Sequence, residues 1–437
     1  MTRSTIARSL VLAVATALAA AGIAVPAQAH RVSGGSLPVL TPRAETPVLH
    51  DDDEGGNADA DDPAIWRNTN SPGRSLVIAT AKEGGLRVYD LDARQVQSVA
   101  APPAAGPEDA PGRFNNVDLV QGMRLSTGRA DLAVTSDRGH DRLRFYRIDR
   151  DRPGGGGPLI DVTAAAAPAV FSRDQAEVNE QRTAYGLATW TDPASGRSYA
   201  LVSRRERTSI ALLELLPAAG GKVTYRKVRT LDLPATFRLP NGRAWAPCAA
   251  PGELPQVEGM TVDPADGTLY AGQEDIGIWR LRADLTGTPE LVDKVREFGV
   301  DGIYDEQTDE CSPGADPGFG GTRLSADVEG LTLVAESGGD GYLLASSQGD
   351  NTFAAYDRER TDGNEYEGGF RVGPANSTLD GSEECDGAAA LNAPLGSRYP
   401  HGLLVVQDGH DNPGDGDRPA TNLKFVDLGR VLNALDD

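Results

Sequence analysis

Cysteine, aromatic residues and positive charge are all scarce in this chain. Its 437 residues include 3 Cys, 9 Phe, 4 Trp and 11 Tyr, and 42 basic residues stand against 64 acidic ones, a net charge of −22. Gripping a phosphate backbone needs a basic face, so nucleic acid is excluded as a partner. No cysteine pair has zinc-site spacing. Sustained helical periodicity is absent outside the N-terminal apolar run and a short C-terminal stretch, 428–435. There is no G-x-S-x-G elbow, no Walker loop and no Cys followed by Arg at the sixth position. None of the five His (His30, His50, His140, His401, His410) lies in an R-H-G-x-R-x-P context. The α/β serine hydrolases, P-loop NTPases, and cysteine and histidine phosphatases are thereby set aside.

What the chain has instead is Gly and Pro, 51 and 29 of them, which favours a turn-rich β protein. The 39% of apolar residues suffices for a core and argues against disorder. The length allows up to three domains at about 150 residues each, but large all-β folds run longer as one unit. At the N-terminus, Arg3 and Arg8 precede an apolar run, 10–25, and an A-x-A site, Ala27-Gln28-Ala29. The run is short for a membrane span of about 20 residues, so residues 1–29 read as a secretory signal peptide and the protein as extracellular. Its removal leaves 40 basic against 64 acidic residues. No second apolar run approaches membrane length, so no membrane association is expected. Residues 30–57 read as a polar, mobile leader. Secretion permits disulfides. Cys248 and Cys311 both lie in loop-like sequence and are the first-choice pair, closing a loop of about 63 residues. Three cysteines allow only one bridge, and the residues alone leave open which pair forms it.

One unit recurs six times: turn, short apolar strand, polar loop, second apolar strand. The copies begin at Gly73, Gly128, Gly196, Asp266, Asp340 and Ser397, about 55 to 75 residues apart. A further strand precedes most of them: DDPAIW (61–66), NNVDLV (115–120), YGLATW (185–190), VEGMTV (257–262) and VEGLTL (328–333), with the weaker CDGAAAL (385–391) before the sixth. VRTLDL (228–233) and YEGGFRV (366–372) could complete blades. Six small antiparallel sheets predict an all-β, six-bladed β-propeller over residues 58–437; the alternative is a pair of β-sandwiches. Three segments, 100–113, 235–254 and 300–326, read as loop insertions.

The topology predicts where charge collects. The start of each leading strand and the end of the next one lie at the same face, beside the central channel. Leading strands start with Asp61 and Asp62, Asn115, Asn116 and Asp118, Tyr185, Glu258, and Asp327 and Glu329. The hairpin loops carry Lys82 and Glu83, Asp137 and Arg138, Arg205 and Glu206, Glu274 and Asp275, Gln348, and Asp408. Crowded carboxylates repel, so such a ring needs protons or cations, and hard oxygen ligands without His or Cys point to Ca²⁺. Cations with Arg and Lys let an acidic protein bind a phosphate ester.

These residues match a known family. ADADDPAIW (58–66) followed by NNVDL (115–119) resembles the paired signature of β-propeller phytases. The likeness continues through AYGL, VEGM, EDIGIW, DVEGLTL, GYLLASSQG, YPHGLLVVQDG and NLKFV, spanning roughly residues 45–433. The resemblance implies a six-bladed propeller that binds several Ca²⁺ ions. It implies a phosphoric monoester hydrolase of the 3-phytase type, acting on phytate (inositol hexakisphosphate) or calcium–phytate through a metal-activated water, as a monomer. By motif, it implies that Asp62, Glu258, Glu274, Asp327 and Glu329 hold the catalytic calcium, with Glu45 reaching that cluster from the leader. Asp61, Asp380 and Asp408 would hold a structural calcium tying the first blade to the last. Lys82, Arg138, Tyr185, Arg205 and Glu206 would bind phosphate or line its site, with Arg138 also stabilising the transition state.

The chain departs from the family pattern at Val120 and Glu83, where Arg and Lys are usual, at Arg205 for a Lys, and at His410 for a Glu, with Asp411 as a possible substitute. Two readings of other classes compete. A calcium-dependent propeller lactonase or esterase would need an apolar channel. A non-catalytic secreted binding propeller would keep the structural acids and have no use for Arg138 and Arg205.

Overall fold

The computed structural model describes residues 36–50, 58–152, 155–308, 310–359, 363–412 and 418–436; the expected signal peptide, 1–29, lies outside them. Each predicted repeat forms an antiparallel sheet, and the six sheets are the blades of a propeller. The first four blades run Pro63–Val99, Phe114–Asp161, Ala184–Asp232 and Val257–Lys294, each with four strands in sequence order from the inside out. The fifth (Val328–Val372) gains Val39–Leu40 at its outer edge. The sixth takes three strands from Ala388–Asp427 and its outermost strand from Ala44–Glu45, with Leu49–His50 pairing further along the same edge. The innermost strands touch in a closed ring, the sixth meeting the first.

The described part of the expected leader is therefore built into the sheets. Its three strands are two residues each, too short to carry a period-two pattern. Two of the expected loop insertions also contain hairpins, Phe237–Arg238 with Ala244–Trp245 and Gly302–Asp305 with Glu310–Pro313. Cys248 and Cys311 join them as a disulfide, and Cys385 is free and buried. A C-terminal helix, Leu428–Asp436, packs Leu428 and Val431 against the fifth and sixth blades. Among the described residues no helix is long and apolar enough to cross a membrane.

Apolar side chains fill the wedges between blades. Leu132, Val134, Leu201 and Leu213 sit in wedge clusters, as do Leu269, Ile278, Leu343 and Phe425, all essentially inaccessible. Alternating in–out patterning becomes nearly continuous burial on the middle strands because both faces of a blade are covered.

One local device recurs at the channel. The ladder between the two innermost strands slips between Phe114 and Val117, Ala184 and Leu187, Val257 and Met260, and Val328 and Leu331. These β-bulges re-aim Asn115, Tyr185, Glu258 and Glu329. In the last three the next residue is Gly, for a steric reason. A Cβ on Gly186 would lie 2.1 Å from Glu258 O, and one on Gly259 1.6 Å from Glu329 O. One on Gly330 would lie 2.6 Å from Ala388 N, and one on Gly387 2.6 Å from Asp62 Cα. Each glycine is thus where one inner strand rests on the next. Hydroxyls lock the same seam: Thr80, Ser136, Ser203 and Ser346 donate to Asn115 O, Tyr185 O, Val257 O and Cys385 O of the following blade, at 2.5–2.7 Å. Gly259→Ala is expected to cost roughly 2–3 kcal/mol, read as a lower denaturant midpoint, because backbone rather than a movable side chain blocks the methyl.

Candidate functional site

The bulges deliver carboxylates to one mouth of the channel. Glu258, Glu274 and Glu329 are only 5–7% exposed, and one oxygen of each lies within 4.8 Å of the others. At that spacing two full charges repel by about 3–4 kcal/mol at an effective dielectric of 20. Asp61, Asp62, Asp327 and Asp386 extend the group, each coupled electrostatically to at least one of these glutamates or to Asp386. Burial first, and neighbouring carboxylates next, push Asp61, Glu274 and Glu329 well above the usual carboxylate range. Asp327 and its neighbour Asp275 are pushed up to about 6 and about 7, by burial and then by other acids.

The donors that hold this group are specific. Asn115 Nδ2 donates to Glu258 Oε1 at 2.6 Å, and the Tyr185 hydroxyl donates to Glu258 Oε2. Gln256 Nε2 donates to Glu274 Oε2 at 2.9 Å, and Val117 N to Asp62 Oδ2 at 3.0 Å. Lys82 Nζ reaches Asp386 Oδ2 at 3.3 Å, while Gln348 Nε2 donates to Asp386 Oδ1 at 2.8 Å. Burial opposes the Lys82 ammonium, but Asp61 and Asp386 outweigh it and raise its pKa.

Cations stand on the rim. Arg138 lies 5.8 Å over the Tyr185 ring; its pKa is lowered to about 10, by burial first and then by Arg205 and Arg113. Positive charges held this close to one another call for an anion. Arg205 ion-pairs with Glu206, which also takes Arg182 at 3.2 Å. A cavity of about 450 Å³ opens beside them, lined by Arg205, Glu206, Glu274, Asp275, Tyr304 and Asp327.

Thus Asp62, Glu258, Glu274, Asp327 and Glu329 come together as expected, with Lys82, Arg138, Tyr185, Arg205 and Glu206 around them. The Tyr185 hydroxyl is engaged by Glu258. Two expectations are corrected. Glu45 is not at this cluster: its strand pairs with Phe425 and Lys424 at the outer edge of the sixth blade, away from the innermost strand. Asp61 is not with Asp380 and Asp408: it opens the first blade's inner strand, beside Lys82, Glu258 and Asp386.

Glu45, Asp380, Asp408 and Asp411 form a second acidic group around fully buried Lys424. Its Nζ lies 2.7 Å from Glu45, 3.0 Å from Asp408 and 3.7 Å from Asp411, and it also pairs with Asp380. Asp411 occupies this group while His410 turns to Glu384 at 2.9 Å. In the presence of chelator, Lys424→Met is expected to destabilise by about 3–5 kcal/mol in chemical unfolding, because it strands four acids without a counter-charge.

Asp386 was missed as a site residue, although Asp386-Gly387 repeats the acid–glycine pair of Glu258-Gly259 and Glu329-Gly330. The short apolar strand after it, Ala388–Leu391, hid the equivalence. Gln256 and Lys424 carried no pattern that would have marked them.

All donors here are oxygens, and they fit a hard cation. Asp61 Oδ2, Glu274 Oε1 and Glu329 Oε2 are buried without a hydrogen-bond partner among the described residues, as is Asn422 Oδ1 in the Lys424 group. Buried orphan oxygens are costly, and Ca²⁺ takes six to eight such ligands.

A family model described as Phytase matches residues 1–238 and 312–437. A 3-phytase of Bacillus subtilis (strain 168) is 30% identical over 433 residues, covering 98% of this chain and 94% of the relative. Among solved structures, a Pseudomonas aeruginosa periplasmic gluconolactonase aligns at TM-score 0.39 and 14% identity, covering 71% of this chain and 70% of its own. A Staphylococcus aureus virginiamycin B lyase aligns at TM-score 0.38 and 11% identity, covering 87% and 99%. Likenesses that weak bear on neither fold nor activity. The family match and the curated relative decide the matter together: this chain belongs to the phytase family and is an enzyme of that kind.

Proposed function

We propose that the enzyme is exported by residues 1–29 and, as a calcium-dependent monomer, removes phosphate from phytate at the mouth of the channel, with neither nucleic acid nor membrane as a partner. The observation that carries this is the trio Glu258, Glu274 and Glu329, each with one oxygen within 4.8 Å of the others, while Glu274 Oε1 and Glu329 Oε2 have no hydrogen-bond partner among the described residues. With Asp62, Asp327 and Asp386 they would hold the catalytic calcium, and Glu45, Asp380, Asp408 and Asp411, with Asn422, a structural one. Bound calcium supplies Lewis acidity toward a phosphate oxygen and the attacking water.

The protein's own groups do the rest. Arg138, Lys82 and Arg205 orient the transferring phosphoryl group and stabilise charge on its equatorial oxygens. Tyr185 and Asn115 fix the Glu258 carboxylate from both sides. Arg205, Glu206 and Glu274 make the neighbouring cavity charged, which disfavours a lactone or other apolar ester.

Phosphate release from phytate tests the reading, with calcium, with chelator, and in Arg138→Ala. Chelator should abolish turnover. Arg138→Ala should lower kcat by about 10²–10³. Release indifferent to both treatments would overturn it.

A further inference from the structure

The two extra hairpins converge at the mouth. Trp245 and Phe298 rings lie 4.7 Å apart, Trp245 Nε1 donates to Val300 O at 2.8 Å, and Arg243 grips Asp301 through both carboxylate oxygens at 2.7 and 2.8 Å. These contacts hold the base of the hairpin Gly302–Pro313. Its far strand is held by Cys311, bonded to Cys248. From Cys248 the chain runs directly to the site: Leu254 N donates to Glu206 O at 3.2 Å, and Gln256 joins Glu206 N to Glu274 Oε2. The disulfide therefore fixes the hairpin against the segment that positions two site carboxylates. On this hairpin Tyr304 lines the same cavity as Arg205, Glu274 and Asp327. The family model leaves residues 239–311 unmatched, a stretch that includes Cys248, Tyr304 and the fourth blade's strands.

We infer that Tyr304, held in place by the Cys248–Cys311 staple, is a specificity-determining residue that contacts the part of a bulky, multiply phosphorylated substrate lying away from the reacting phosphate. The inference rests on the phosphatase reading of the site. A phosphate held by Arg138 and Arg205 leaves the remainder of a polyphosphorylated ring to extend along the cavity toward Tyr304. A phenol presents to that remainder a polar tip and an apolar ring face. A small phosphomonoester carries no further phosphate groups to place there.

The test compares phytate with p-nitrophenyl phosphate in Tyr304→Ala and in the double variant Cys248→Ser/Cys311→Ser. Binding of myo-inositol hexasulfate, a non-hydrolysable probe, is measured by calorimetry. Tyr304→Ala should raise KM for phytate about tenfold and weaken hexasulfate binding by a similar factor, with kcat/KM for the small ester unchanged. The double variant should shift the same two quantities in the same direction. Equal losses on both substrates, or unchanged phytate KM and hexasulfate binding, would overturn the assignment. If the double variant fails to fold, Tyr304→Ala decides alone. An unmodified enzyme that cleaves neither ester with calcium present would instead defeat the phosphatase reading, and this inference with it.

Discussion

Glu258→Gln is expected to lower phosphate release from phytate by about two to three orders of magnitude and, in the metal-free protein, to raise the melting temperature. The two effects share one cause. Glu258 stands among Glu274, Glu329, Asp61 and Asp386, with burial first and Asp386 next raising its pKa. A buried charge surrounded by like charges destabilises the fold, so removing it relieves the metal-free state. The amide is tolerated locally. Its oxygen still accepts from Asn115, and its NH₂ can face Tyr185, whose hydroxyl can rotate to accept. With calcium present the sign reverses, because the variant has lost a ligand and gains less from the ion. Melting curves with calcium and with chelator, set beside initial rates, separate these outcomes. A variant less stable than the parent in chelator would mean that Glu258 is an ordinary structural acid.

The second large effect is on the pH dependence of stability. In the metal-free fold Asp275 and Asp327 titrate at about 7 and about 6. The unfolded chain releases the same protons near pH 4. Between those values the folded state binds more protons, so stability falls as pH rises from about 4 to about 7, and the penalty is complete above that window. Calcium needs the carboxylates ionised, so its contribution grows over the same range. The chelated protein should melt progressively lower from pH 5 to pH 7, while its distance from the calcium-loaded melting temperature widens. A gap constant across that range would remove the link between these carboxylates and the ion.

The six hairpins were legible because each middle strand is buried on both faces between Gly and Asp turns; YEGGFRV matches its strand, Tyr366–Val372, residue for residue. The site was legible for a related reason. In a radial repeat, equivalent sequence positions become neighbours in space, so the starts of the strands at Glu258 and Glu329 could be read together. What stayed hidden depends on partners remote in sequence. Glu45 is placed by pairing with residue 424, and no local pattern reports that. Asp386 precedes an inner strand of Ala and Leu alone, whose small side chains weaken the period. Lys424 reads as one polar residue among the apolar Leu423, Phe425 and Val426, and only the arrival of four acids from elsewhere explains its burial.

The closure of the ring also sets the timing of the molecule's assembly. The outermost strand of the sixth blade is made before the other five blades, and its three companions after them. The bond from Lys424 to Glu45 and that from Leu423 to Thr46 bridge 379 and 377 residues. Five blades can form as they emerge, but the circle stays an open arc with exposed edges until the last strand arrives. A nascent chain stalled before residue 420 would present those edges to proteases and to other chains. Pairing of the strand Ala420–Asp427 with Ala44–Glu45, more than any single blade, marks the moment when this protein becomes resistant to both.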